Sequence, residues 1–96
     1  MTVRLDAYDL RAVINGPFQT RTALGKERQG KIEALGLRLI DTCEQLKPGR
    51  RAKIRLEPGE ARLILLCLNE WRNRFIAAGK AAAANGIGEV MVRFDR

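Results

Sequence analysis

Ninety-six residues suffice for one domain around a single core and are too few for two. An apolar fraction of 46% excludes a disordered tail, and 18 Lys and Arg against 11 Asp and Glu leave a net charge of +7 that attracts an anionic partner. The chain has no histidine and no serine, which excludes Ser-His-Asp and Cys-His nucleophilic sites and imidazole acid–base catalysis as they are usually built.

In chain order, TVRL (2–5) alternates polar and apolar residues and predicts a short strand or extended arm. Asp6 and Asp9 stand at N-cap and N3 spacing and open a helix with Leu10, Val13 and Ile14 on one face. Asn15-Gly16-Pro17 predicts a break or kink, because proline lacks a donor and biases Gly16 away from helical geometry. Phe18 and Leu24 carry apolar packing past it, and Gly25 ends the segment. A second helix is expected from Lys26 to Leu46, on the stripe Ile32, Leu35, Leu39, Cys43 and Leu46, with Glu27 and Lys31 as an i,i+4 pair. Gly36, beside that stripe, is expected to admit a close neighbour. Lys47-Pro48-Gly49 stops the helix.

The segment KPGRRAKIR (47–55) is the densest in cations: Lys47, Arg50, Arg51, Lys53 and Arg55, with no acid among them. Between two helices it reads as an exposed loop or short strand, where arginines meet phosphates; the alternative is a solvated connector that only aids solubility. Arginine clearly outnumbers lysine in the chain, which favours planar, bidentate recognition of phosphate or carboxylate.

Glu57, Pro58 and Glu60 then occupy cap, N1 and N3 positions of a third helix, which assigns both carboxylates to helix initiation rather than catalysis. This helix is expected to continue through Ala81–Ala84 and to stop at Asn85-Gly86. Ile64, Leu68, Trp71, Phe75 and Ala78 share one stripe, so Trp71 reads as core or subunit interface rather than a base-stacking platform. Glu70 and Arg74 form an i,i+4 pair, whereas Arg62 and Arg72 stay free for a partner. LILLCL (63–68) is apolar around nearly the whole helix; Leu65 and Leu66 join Trp71 and Phe75 as core or interface, and self-association as a homodimer is expected. The tail IGEVMVRFDR (87–96) fits a helix, the preferred reading, or a strand at 90–94 paired with 2–5 or 53–56.

The fold class expected is all-α: one small domain of three to four helices over residues 1–96, with short extended segments admitted at 2–5, 53–56 or 90–94. No apolar leader opens the chain and no apolar run approaches the ~20 residues of a membrane span, so the expectation is a cytoplasmic protein. Cys43 and Cys67 read as buried thiols, the alternative being a disulfide if the helices align them. No zinc-ligand spacing, phosphate loop or dinucleotide fingerprint is present, so neither metal nor cofactor is expected; NGIGEV (85–90) lacks the strand and third glycine.

The function expected first is non-enzymatic binding of an anionic partner, nucleic acid held through its phosphates by Lys47, Arg50, Arg51, Lys53, Arg55, Arg62 and Arg72. A helix-turn-helix arrangement, with Gln19, Arg21, Lys26, Arg28 and Lys31 facing a groove, is a weaker fit because the connections suit that motif poorly. In type the chain is similar to the small, basic, motif-free accessory proteins of prophages and mobile elements, anti-CRISPR and other anti-defence proteins among them. That similarity carries no residue over. It implies an inhibitor of a nucleic-acid enzyme, using the same cations on an acidic protein surface, or a protein that sequesters a signalling nucleotide. A structural or assembly subunit is the third reading.

Overall fold

Val3 and Leu5 in one tetrapeptide, Ala52 and Ile54 in another, recur at the two-residue period of a strand, and pairing them buries all four on one side. β1 (Thr2–Leu5) runs antiparallel to β2 (Ala52–Arg55) in the register Thr2↔Arg55, Val3↔Ile54, Arg4↔Lys53, Leu5↔Ala52. The Leu56 N–H donates to the Met1 carbonyl at 2.8 Å and extends this ladder. The computed structural model describes residues 1–94; around the ribbon they form four helices, α1 (Ala7–Thr20), α2 (Lys26–Gln45), α3 (Pro58–Ala77) and α4 (Ala81–Val92). The domain is mostly helical, and among the described residues no helix is long and apolar enough to cross a membrane.

Asp6 caps α1 as expected, its Oδ1 accepting from the Asp9 N–H at 2.8 Å. The break expected at Asn15-Gly16-Pro17 is absent, and α1 continues to Thr20. Pro17 lies in the last turn, where its missing N–H deprives only the Val13 carbonyl of a partner. Burial does the rest: Gly16 and Pro17 are covered, and the Thr20 hydroxyl donates to the Gly16 carbonyl at 2.8 Å. A Cβ at Gly16 would lie 2.8 Å from Leu68 Cδ2 and 3.3 Å from the Trp71 ring, so glycine is what lets α1 reach α3. Gly36, expected to play that part on α2, has no atom within 4 Å of a Cβ position and faces an open groove.

α2 buries Ile32, Leu35 and Leu39, the core of the predicted stripe, with Cys43 and Leu46 half-buried. Gly25 before it has φ 94°, a conformation only glycine takes without strain. The Arg74 guanidinium joins α3 to the end of α1, donating to the Gln19 carbonyl at 3.0 Å while lying 3.5 Å from Glu70.

The third helix does not run on through Ala81–Ala84. It stops at Ala77 because Gly79, at φ 75°, closes a Schellman cap: the Lys80 N–H reaches the Phe75 carbonyl at 2.9 Å and the Gly79 N–H the Ile76 carbonyl at 3.0 Å. Asn85-Gly86 is no stop and lies inside α4. The tail therefore follows the helical preference: Ala84, Ile87 and Val90 recur on the buried face, and no strand forms at 90–94, so the two strands pair with each other. α4 packs along α3, and α1 covers another side of it. One chain thus covers most of the apolar girdle. Ile64, Cys67 and Leu68 are buried, Leu65 is half-buried, and only Leu66, 45% exposed, stands well clear of the core. The girdle by itself makes no demand for a second subunit. Burial pushes the Cys67 thiol above its ordinary pKa against the opposing hydrogen bond of Thr20, and both cysteines are free.

The glycine contacts generate a paired prediction. Gly30→Ala, on an open face of α2, stabilises by about 0.5–1 kcal/mol through helix propensity. Gly16→Ala gains the same propensity but must displace buried Leu68 and Trp71, and is destabilising by about 1 kcal/mol or more. Urea unfolding of the two variants checks both signs.

Candidate functional site

The ribbon that buries Val3, Leu5, Ala52 and Ile54 must turn Thr2, Arg4, Lys53 and Arg55 to solvent, and all four are exposed. Arg4 stands directly opposite Lys53, at the ~5 Å Cβ spacing of cross-strand neighbours, where like charges are destabilising. Arg51 precedes them at the same two-residue period, so cations occupy alternate positions 51, 53 and 55. Leading into β2, Lys47-Pro48-Gly49-Arg50 forms a type II turn. Proline sits at its second position and Gly49 (φ 75°) at its third, and the Arg50 N–H reaches the Lys47 carbonyl at 3.1 Å. Lys47, Arg50 and Arg51 on this turn are exposed.

None of these six cations has an acid within ion-pair distance among the described residues. The carboxylates that do pair go elsewhere: Glu33 to Arg21 (3.9 Å), Glu60 to Arg38 (2.9 Å), Glu70 to Arg74 (3.5 Å) and Asp9 to Arg93 (2.6 Å). The last pair bounds the site. Asp9 is only 5% exposed and anchors Arg93 at the end of α4, where Thr2, Val3, Arg4, Val92 and Arg93 line a recess of about 370 Å³ beside β1.

Five of the residues expected to bind anions, Lys47, Arg50, Arg51, Lys53 and Arg55, thus lie exposed on β2 and the turn leading into it, and the pairing of β1 with β2 adds Arg4 beside them. Arg4 was missed because neither tetrapeptide alone fixes a partner; the available signal was that TVRL and AKIR each alternate with a cation on the polar side. Arg62 is exposed on α3, outside the ribbon and the turn that leads into it. Arg72 is half-buried on the α4 side of α3, its Nε 3.6 Å from where a Cβ would stand on Gly88, and its stem serves as packing. Trp71 is half-buried beside Gly16, with its ring 5.2 Å from that of Phe75 and tilted 44°, so the pair belongs to the edge of the core. The helix-turn-helix arrangement loses a reader: Arg21 pairs with Glu33, lies over the Phe18 ring at 4.1 Å and donates to the Phe18 carbonyl.

The other large cleft, about 430 Å³ between α2 and the start of α3, contains Glu57 and Glu60. Both serve helix initiation, as expected: they form a capping box, and Glu60 accepts the Glu57 N–H at 2.9 Å. Among the described residues no group of three or more His, Cys, Asp or Glu converges on a metal-sized space. No protein-family model, curated protein or solved structure matches the chain.

The Arg38 guanidinium, and then the Glu57 N–H, hold the Glu60 carboxyl below its ordinary value of 4.5. The unfolded chain therefore binds more protons there, so stability rises with pH: the contribution is full above about pH 4.5 and is lost as pH falls through the lowered value. E60Q keeps an acceptor for the Glu57 N–H but not the charge. It is expected to be less stable than the parent at neutral pH, with the gap closing in acid; urea midpoints measured across that range test this.

Proposed function

We propose that this protein is a non-enzymatic nucleic-acid-binding protein that holds its ligand through phosphates. Arg4, Lys53 and Arg55 on the ribbon make the central contacts, and Lys47, Arg50 and Arg51 on the adjoining turn extend them. The observation that carries this reading is the like-charge pair Arg4–Lys53 on a face that carries no acid among the described residues. That arrangement opposes folding by about 0.2–1 kcal/mol and is relieved when an anion lies across it. The cations form an open stripe rather than an enclosed pocket. This supports a polyanionic backbone over a small nucleotide trapped between subunits.

Phosphate binding of this kind is steeply salt-dependent and largely indifferent to sequence. Six phosphate contacts on a duplex correspond to a slope of about −5 in log K against log salt, and each contact removed lowers its magnitude by about 0.9. Fluorescence anisotropy with a labelled oligonucleotide over a salt series reads this slope for the parent and for R4A, K53A and R62A. R4A and K53A should each flatten it, and R62A should leave it unchanged. K53E separates binding from folding: by placing an acid opposite Arg4 it should raise stability by a few tenths of a kcal/mol while strongly weakening binding. Unchanged affinity in K53E, with the fold intact, would overturn the assignment.

A further inference from the structure

Which nucleic acid suits the ribbon follows from what its outward face carries and from its width. The face presents Thr2, Arg4, Lys53 and Arg55, three cationic donors and a hydroxyl, with no aromatic ring. The rings elsewhere are committed: Trp71 and Phe75 to each other at the core edge, Phe94 to the core, and Phe18 beneath the Arg21 guanidinium at the α1–α2 groove. Tyr8 is exposed but stands alone on α1, its hydroxyl 3.3 Å from where a Cβ would be on Gly86 of α4. Single strands are gripped by successive rings on which unpaired bases stack, and such a platform is missing from this face.

Two strands ~4.8 Å apart with side chains on one face make a body suited to the major groove of B-form DNA, about 12 Å wide. The minor groove, at about 6 Å, is too narrow, and the deep, narrow major groove of A-form RNA excludes side chains. Four residues of strand span about 13 Å, or roughly four base steps, which leaves the turn cations Lys47, Arg50 and Arg51 at one end to meet the bordering phosphates. Resting on the phosphate-binding reading above, we infer that the ligand is double-stranded DNA and that the β1–β2 ribbon enters its major groove.

The test is competition anisotropy on the full chain near physiological salt, with a DNA duplex of about twenty base pairs, one of its strands alone, and an RNA duplex of the same sequence. The DNA duplex should bind about tenfold tighter than either alternative, and a major-groove ligand, not a minor-groove ligand, should displace the protein. The double variant R4A/K53A, shown folded by circular dichroism, should reduce the preference to about twofold or less. Equal affinity for all three probes, or displacement only by the minor-groove ligand, overturns the groove assignment and leaves phosphate binding standing. No binding to any probe overturns both.

Discussion

The register between β1 and β2 is the constraint on which the rest of the molecule depends. A slip of one residue would turn Val3 and Leu5 to solvent and Arg4 into the core, because side chains alternate at a period of two. In the observed register Val3 meets Ile54 and Leu5 meets Ala52 on the buried side, and the polar residues have nowhere to go but outward. The same pairing ties residues 1–5 to residues 52–56 and so fixes where α1 leaves the ribbon and where α3 begins, one residue after Leu56 at the Glu57 cap. The basic face is thus a consequence of how the apolar face is buried.

α3 is the element against which the other parts are placed. Its Leu68 and Trp71 meet Gly16 of α1, its Arg74 reaches the Gln19 carbonyl, and its Arg72 packs at Gly88 of α4. Asp9 then holds the far end of α4 through Arg93, beside β1. These contacts use the charges of Arg74 and Arg93 within the fold, and the Arg72 stem serves as packing. Arg4 and the cations of 47–55 differ in arrangement: they are exposed, they lie on one two-stranded ribbon and the turn leading into it, and none of them meets an acid among the described residues. Six exposed cations gathered on one ribbon and its turn, two of them directly opposed, are the feature a binding reading explains and a purely structural one does not.

Signals that act within a turn or two could be read from the chain directly. The Asp6 cap, the Glu57–Glu60 box, the stripe Ile32–Leu35–Leu39 and the cation density of 47–55 all act over that range. Features decided by a distant element could not. Pro17 sits in a continuous helix because it falls in the last turn and is buried at the groove that α1 forms with α2, and that burial depends on a separate element. Gly16, not Gly36, is the point of close approach because the helix crossing, not the sequence stripe, decides which glycine meets a side chain. Gly79 was overlooked amid alanines that prolong a helix, although its left-handed cap ends one. Arg4 lay outside the expected site for the same reason: its place depends on a strand nearly fifty residues away.

The binding face is located most directly by an amide chemical-shift map of the ¹⁵N-labelled protein titrated with a short DNA duplex. The largest shifts should fall on Thr2, Arg4, Lys53 and Arg55 and on the turn at Lys47–Arg51, with α2 and the Trp71 region nearly silent. Shifts concentrated on α2 or around Trp71, with the ribbon unmoved, would contradict this and place the binding surface on the helices.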